Sequence, residues 1–428
     1  MKKVVKKIAL LLLVFGIGVG VTLLYMNNKY KVYEEEEPKQ IKKHVDTISM
    51  MLETEAGSGN YEMTTASSWP TDGYIFNTEL SKCENGGELS WDDENKRVLM
   101  SGNVSDKCYV YFDIYVPPTV VSDVCNGGET LSTCITTLSQ NSTSSYTNIY
   151  HHDSALANGA GDNSYRYAGA NPNNFVCFGT NTTPCPTDNL YRIIGVFGNQ
   201  VKLIKYDYAT SALLGTDGDY KGTGTPNASY YKGSLTTINT YYWNKATSKN
   251  TWSESNLNKV NLNTNFINNI RSEWAAKIAE TTWKVGGNTF ANIGTQPAKT
   301  AYQNEIVSPV TTNTTDGATE YSAKIGLMYV SDYMYAASQD KWTLVGNGSA
   351  TTDYRAATSV NWMYMGFGDW TISRIADNSS SVFGMYSTGY VDYGYVGGNS
   401  GCRPSFSLLS STTYVSGSGS ASDPMVIN

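Results

Sequence analysis

The chain has 428 residues, a formal net charge of −7 and only 16% charged residues. This acidic balance excludes nucleic acid as a partner, because binding to phosphates needs clustered Lys and Arg. The length predicts two or three domains. The 32 Tyr and 39 Gly, among many Asn, Ser and Thr, are typical of β-rich extracellular proteins. Tyrosine is favoured both on binding surfaces and in strands, and composition leaves both roles open.

The first 29 residues resemble a membrane anchor. Four lysines in residues 2–7 precede an uncharged apolar run at residues 8–26, which is long enough to cross a bilayer. The lysines predict a cytoplasmic N-terminus and an external C-terminal part. A cleaved signal peptide is the alternative, but no small-residue cleavage site follows. We therefore predict a single-pass cell-membrane protein with residues 1–29 as signal anchor and the lipid bilayer as its partner.

Residues 30–68 are predicted to form a stalk helix and a linker. Pro38 suits a first helical turn, and the acidic residues before it suit a helix N-terminus. Apolar residues then recur at helical spacing: Ile41, Val45, Ile48 and Leu52. The pattern predicts a helix over residues 38–56, either a stalk or a short dimerising coiled coil.

Residues 69–116 are predicted to be a small antiparallel β module, followed by a linker at residues 117–159. Six of the seven cysteines lie in close pairs, which an external location allows to form disulfides. Six cysteines allow 15 connectivities, and proximity favours one of them. The predicted disulfides are Cys83–Cys108, Cys125–Cys134 and Cys177–Cys185.

Residues 160–428 are predicted to be an α+β domain with few helices on an irregular antiparallel sheet. Two apolar runs around Gly198-Asn199 predict a β-hairpin. Helical patterns return at residues 254–283 and 326–338, and the last stretch reads as strands.

The C-terminal stretch carries a recognisable motif. Its members are Gly401, Arg403, Pro404, Gly417, Gly419, Pro424, Met425, Val426 and Ile427. The motif resembles the C-terminal signature of a bacterial cell-surface domain of unknown function, roughly Gly-Val-Arg-Pro, an apolar strand, Gly-x-Gly and Pro-Tyr-Val-Ile. Trp370 and Arg374 resemble a Trp followed by Arg in the same family. The resemblance covers residues 160–428.

The Gly-x-Arg ending and the preceding Trp and Arg also resemble the C-type lectin-like fold, which includes the formylglycine-generating family, and this likeness is an analogy of fold alone. The calcium-binding motifs of sugar-binding lectins and the reactive cysteine pair of the formylglycine enzymes are absent from the sequence. Cys402 stands where the family has an apolar valine, so we interpret it as a buried, unpaired core residue.

The candidate binding face is a Tyr-rich segment between glycines, just before the signature. Its residues are Tyr386, Tyr390, Asp392, Tyr393, Tyr395 and Asn399. The composition resembles an antibody-like binding surface, although alternating tyrosines on a half-exposed strand explain it equally. Trp370 and Arg374 are further candidates, and buried arginines more often hold strands together.

The sequence favours no catalytic or metal site. Neighbouring His151 and His152 have no third ligand at useful spacing, and residues 215–224 lack a full calcium-loop pattern. No phosphate-binding, Ser-His-Asp or zinc-protease motif is present. We predict a membrane-anchored binding or adhesion protein without catalytic activity or cofactor, recognising a glycan or protein surface. The alternative is a structural envelope component that self-associates.

Overall fold

The computed structural model describes residues 48–70, 72–101, 106–115, 121–141, 148–309 and 318–428. The chain divides into two compact units, Met1–Pro117 and Pro118–Asn428. The described residues are mostly β, with few and short helices. None of these helices is long and apolar enough to cross a bilayer. This corrects the predicted fold class with its transmembrane helix and the predicted single-pass membrane location. Residues 8–26, on which both predictions rested, lie outside the described residues.

The first unit contains a five-stranded sheet and a separate hairpin. Its strands are β1 (Ile48–Glu53), β2 (Tyr61–Met63), β3 (Tyr74–Phe76), β4 (Lys82–Cys83), β5 (Glu88–Asp92), β6 (Arg97–Ser101) and β7 (Cys108–Ile114). The sheet order is β2-β1-β7-β3, β4 also pairs with β7, and β5 pairs with β6. Met50, Phe76, Val110 and Phe112 form its core.

The predicted stalk helix is wrong where the structure describes it. Residues 48–53 form β1, which runs parallel to β7 with Ile48 opposite Cys108; residues 38–47 lie outside the described residues. Ile48, Met50 and Leu52 also alternate with period two, and burial of Met50 against the sheet favours a strand over a helix. The sheet is consequently mixed rather than purely antiparallel, and the module begins before residue 69.

The second unit is built on a six-stranded sheet. Its strands are β8 (Ile149–His151), β9 (Tyr165–Tyr167), β10 (Phe175–Cys177), β11 (Leu190–Phe197), β12 (Gln200–Lys205) and, late in the chain, β21 (Ser405–Ser407). The order is β21-β12-β11-β9-β8, and β10 also pairs with β11. The predicted hairpin is β11–β12, which turns at Gly198 with φ of 62°.

A four-stranded sheet carries the region of interest. It has the order β16-β18-β19-β20 and consists of β16 (Gly287–Asn288), β18 (Asp369–Ile375), β19 (Ser381–Met385) and β20 (Val391–Tyr395). Three two-stranded sheets complete the part of this unit that the structure describes. They are β13 (Tyr220–Gly224) with β14 (Ile238–Tyr241), β15 (Thr281–Lys284) with β17 (Glu320–Ala323), and β22 (Tyr414–Ser416) with β23 (Val426–Ile427).

The helices of the described residues are short and lie in the second unit. They are α1 (Val121–Val124), α2 (Leu131–Asn141), α3 (Ser211–Leu214), α4 (Ile267–Asn269), α5 (Ser272–Ala275), α6 (Phe290–Ile293), α7 (Ala298–Tyr302) and α8 (Val330–Tyr335). Wide π-type turns span Leu257–Phe266 and Gln303–Val307. Tight 3-10 turns span Thr187–Asn189, Trp252–Glu254, Gln339–Lys341 and Tyr354–Ala357.

The helix predicted over residues 254–283 is broken into pieces. Asn261 lies in its wide-turn part and donates from its amide to Leu214 O at 2.7 Å, while Asn263 donates to Ile325 O at 2.9 Å. Side-chain amides that bond distant backbone tie the segment to neighbouring loops. Ile270 is extended and separates α4 from α5.

Residues predicted to form a linker belong to the second unit. Leu131, Ile135 and Leu138 of α2 are buried in its main hydrophobic core, as is Ile149 of β8. The structure joins the same three cysteine pairs that proximity favoured, Cys83–Cys108, Cys125–Cys134 and Cys177–Cys185.

Candidate functional site

A pocket of about 470 Å³ is lined in part by residues of β18, β19 and β20 of the four-stranded sheet. Four aromatic side chains line it: Phe367, Trp370, Tyr386 and Tyr395. Asn227 and Asn399 contribute amides, and every other lining residue is also uncharged. The pocket is therefore apolar and aromatic with a few neutral hydrogen-bonding groups, which is the usual character of a small-molecule site.

Trp370 forms the fixed floor of this pocket. It is buried in β18, and its indole Nε1 donates to Tyr241 O at 2.8 Å. Gly384 pairs with Trp370 across the sheet, and Gly394 lies one strand further. A Cβ added to Gly394 would lie 3.2 Å from Trp370 Cζ3. Glycine here leaves the ring uncovered by a side chain.

Two stacked tyrosines form one rim. The hairpin between β19 and β20 places the Tyr386 ring on the Tyr390 ring, with centroids 4.7 Å apart and planes at 17°. The guanidinium of Arg355 lies 4.7 Å from the Tyr390 centroid on the same stack. Burial, and then the charge of Asp392, raises the pKa of Tyr386, so its hydroxyl remains a hydrogen-bond donor at neutral pH.

The opposite wall consists of two loops that approach closely. Gly366 has φ of 76°, and a Cβ there would lie 2.0 Å from Tyr230 O. Only glycine allows this approach. Lys232 N also donates to Met365 O at 3.0 Å, and Tyr208 Oη donates to Phe367 O at 2.9 Å. These contacts position Phe367 and Asn227.

The Gly-Cys-Arg-Pro motif lies behind the pocket and supports it. Arg403 Nε donates to Asp369 Oδ2 at 2.5 Å, and Arg403 Nη2 donates to Met363 O at 2.8 Å. Burial raises the pKa of Asp369 to about 6, although Arg403 acts in the opposite direction. Asp369 directly precedes Trp370, and Gly401 O accepts a hydrogen bond from Trp370 N at 3.2 Å. The motif thus fixes the start of β18.

Cys402 within that motif is free and fully buried. Burial raises the pKa of its thiol well above the usual value. A reactive cysteine needs a stabilised thiolate, and burial disfavours it. The side chain therefore fits the interpretation of a small core residue.

The structure brings together only part of the predicted binding face. Trp370, Tyr386, Tyr395 and Asn399 line the pocket, and Tyr390 stacks behind Tyr386. Asp392 Oδ1 accepts a hydrogen bond from Tyr393 N at 2.8 Å, and the Tyr393 ring packs edge-on against Phe290. Arg374 is only 1% exposed and donates to Ala318 O, away from the pocket lining.

The sequence analysis missed the opposite wall, formed by Phe367, Asn227 and Thr225. The Gly-Phe-Gly stretch at residues 366–368 marks a turn in the sequence, but nothing local relates it to residues some 140 positions earlier. That contact exists only once the chain is folded.

The described residues hold one three-residue group with metal-ligand spacing, Cys83, Asp106 and Cys108. Both thiols form a disulfide, and the Asp106 carboxylate accepts backbone N–H groups of Asn85 and Gly87. The disulfide and the Asp106 hydrogen bonds therefore stabilise a turn. His152 is buried, and its Nδ1 accepts a hydrogen bond from Ala160 N at 3.0 Å, which uses that nitrogen structurally.

Comparisons with protein-family models, with curated proteins and with solved structures find no match to this chain.

Proposed function

We propose that the chain is a non-catalytic binding protein whose pocket takes an uncharged sugar residue of a glycan. One observation carries the proposal: a fixed Trp370 floor, with tyrosine rims, in a pocket lined only by uncharged residues. Aromatic rings provide flat apolar area for the C–H face of a sugar, while amides and tyrosine hydroxyls bond its hydroxyl groups.

The pocket's size supports a small ligand or the end of a larger one. Its volume of about 470 Å³ lies within the range of about 300–1,000 Å³ found for small-molecule sites. Its aromatic residues are fixed by backbone hydrogen bonds and ring stacking. A preformed site binds with less loss of conformational entropy.

The lining also favours binding over catalysis. General acid–base chemistry needs a group whose pKa lies near the working pH. The titratable side chains of this lining are Tyr386 and Tyr395, and burial raises the pKa of Tyr386 further. The three disulfides favour an oxidising compartment, where such a protein meets its ligand. Membership of the bacterial surface-domain family that the C-terminal motif resembles is part of this proposal.

The test is a screen of the full chain against arrayed neutral glycans, charged glycans and surface proteins. We expect hits among neutral glycans that Tyr395→Ala removes. Tyr393→Ala is the matched control, because Tyr393 is similarly exposed at 45% against 51% but does not line the pocket. Hits confined to charged glycans or to proteins, or equal loss in both variants, would refute a neutral-sugar site.

Self-association remains the second candidate function. β20 is an edge strand of its sheet and exposes Tyr393 and Tyr395, and such edges can pair with another chain. Sedimentation of the full chain over a hundredfold concentration range tests it. A concentration-dependent mass that Tyr393→Ala and Tyr395→Ala both reduce would favour assembly over sugar binding.

A further inference from the structure

Lys202 and Asp332 form a lysine–carboxylate pair buried in the second unit. Lys202 Nζ lies 2.5 Å from Asp332 Oδ2, and the two side chains are only 8% and 2% exposed. The other lysine–carboxylate pairs of the described residues have both partners at least 34% exposed. They are Lys96–Asp93, Lys107–Glu84, Lys284–Glu320 and Lys341–Asp340. Burial removes water from the Lys202–Asp332 pair, and loss of water disfavours the charged forms of both side chains.

The surroundings of Lys202 are aromatic. Its ammonium lies 4.5 Å from the Tyr329 ring centroid, 5.4 Å from that of Trp283 and 5.7 Å from that of Phe197. Burial lowers the pKa of Lys202 against the opposing charge of Asp332. This burial favours the neutral amine of Lys202, which is the form that acts as a nucleophile.

We propose that Lys202 and Asp332 condense into an intramolecular amide that cross-links the folded chain. The Lys202 Nζ lone pair attacks Asp332 Cγ, and a new N–C bond forms. The bond from Cγ to Oδ2 breaks, and this oxygen leaves as water, having taken one proton from the original ammonium and a second from the attacking nitrogen. One water is lost in total, and no oxidant or activating co-reactant is needed.

Neighbouring groups are arranged to assist this step. Arg166 Nη1 lies 3.9 Å from Asp332 Oδ1, the oxygen that gains negative charge during attack. A cation there stabilises the tetrahedral intermediate. Asp162 Oδ2 lies 2.6 Å from Arg166 Nη2 and offsets part of the charge of Arg166.

Glu305, in the wide turn Gln303–Val307, is a second buried carboxylate at the start of α8. It accepts the backbone N–H groups of Val330 and Ser331, both at 2.9 Å, while Asp332 accepts that of Tyr329 at 2.9 Å. Burial raises the pKa of Glu305, and the charge of Glu305 also acts on Lys202. Lys202 and Asp332 also line a cavity of about 250 Å³, through which the released water leaves.

The amide would join two distant parts of the second unit. Lys202 lies in β12 and Asp332 in α8, with a sequence separation of 130 residues. Closing so long a loop restricts the unfolded chain in the same way as a disulfide. Unlike a disulfide, it resists reducing agents.

The intact mass of the full chain, folded and then denatured with its cysteines reduced, tests this directly. We expect a mass lower than the sequence mass by one water. Lys202→Arg keeps the charge but removes the amine nucleophile, so it should show the full mass. Asp332→Asn should instead lose one ammonia. Lys284→Arg, in the exposed pair that borders the same cavity, is the control and should still lose one water.

Protease digestion then locates the bond, because the cross-link yields one branched peptide containing both residues. A folded wild-type chain at the full sequence mass would overturn the proposal and leave a buried ion pair. Water loss that persists in Lys202→Arg would also overturn it. Wild-type mass is read without any substitution, so the test does not depend on a variant folding.

Discussion

His152 illustrates how a buried residue makes the stability of the fold depend on pH. It lies between Tyr335 and Trp342, with ring centroids 4.7 and 4.9 Å away, and is fully buried. Burial, assisted by the charge of Arg166, lowers its pKa to about 2, and Asp162 opposes this only weakly. The folded state therefore holds a neutral imidazole, while the unfolded state binds a proton below about pH 6.5.

We predict that the His152 contribution to the free energy of unfolding falls as pH drops below about 6.5, because only the unfolded state gains that proton there, while Asp369, whose pKa is raised to about 6, contributes in the opposite direction. The contribution is about 1.4 kcal/mol per pH unit. Chemical denaturation between pH 7 and pH 5 measures the slope. His152→Asn keeps an acceptor for Ala160 N and should show a shallower slope, although it is less stable at pH 7. An equal slope in both proteins would contradict the assignment.

Arg403 is the residue that ties the C-terminal motif to the pocket. Its partner Asp369 is buried and next to Trp370. Arg403→Ala leaves that carboxylate uncompensated, and we expect a loss of about 3–5 kcal/mol in the free energy of unfolding. Arg97→Ala breaks an ion pair whose arginine is 58% exposed, and it should cost no more than about 1 kcal/mol. Denaturant titration measures the free energy of unfolding of both variants. A similar loss in the two would contradict the supporting role of Arg403.

At the scale of elements, the pocket depends on a large residue of β18, Trp370, that lies beside glycines of the next two strands, Gly384 of β19 and Gly394 of β20. Gly394 leaves room above Trp370, where an added Cβ would approach two ring atoms at 3.2 and 3.3 Å. Overpacking of this kind costs about 1–3 kcal/mol. The strand pairing itself does not depend on the missing side chain.

We predict that Gly394→Ala lowers the affinity for the glycan identified by the screen at least about tenfold, which corresponds to about 1.4 kcal/mol. Thermal unfolding should show that the fold survives. Gly127→Ala is the control, because a Cβ there makes only an ordinary contact with Val415 O at 3.5 Å. Unchanged affinity of the Gly394 variant would exclude the Trp370 floor from the binding surface.

Local sequence signals predicted some elements and failed for others, for physical reasons. The β11–β12 hairpin follows from Gly198, whose positive φ suits a tight turn between two apolar runs. The disulfides Cys125–Cys134 and Cys177–Cys185 follow from short loops, with sequence separations of 9 and 8. Residues 48–56 also fit a helical period, and only pairing of β1 with β7, some 60 positions away, decides for a strand.

About half of the candidate site could be predicted from the sequence. Tyr386, Tyr395 and Asn399 come from one Tyr-rich stretch whose composition marks it, and Trp370 came from the family resemblance. Arg374, four residues later, is buried instead. Phe367 and Asn227 required the loop contact at Gly366, and a single sequence gives no signal for such a contact.

For the molecule as a whole, two units with separate hydrophobic cores share one chain. The pocket, the Lys202–Asp332 pair and two of the disulfides all belong to the second unit. A unit with its own extensive core can fold alone.

We therefore predict that residues 118–428 fold cooperatively when expressed alone and bind the same glycan as the full chain, within about threefold in affinity, since that difference is under 1 kcal/mol. Near-ultraviolet circular dichroism, which reports on the buried tryptophans, and thermal unfolding measure the folding. A noncooperative transition would mean that the second unit needs the first.

The most direct test of the central claim is calorimetric titration of the full chain and its two tyrosine variants with the neutral glycan from the screen. The account predicts saturable binding that changes little between low and high salt, since no charged residue lines the pocket. Tyr395→Ala should weaken it at least about tenfold, with Tyr393→Ala close to wild type. Binding that collapses at high salt, or that depends on Tyr393 as much as on Tyr395, would contradict a neutral sugar site on the Trp370 floor.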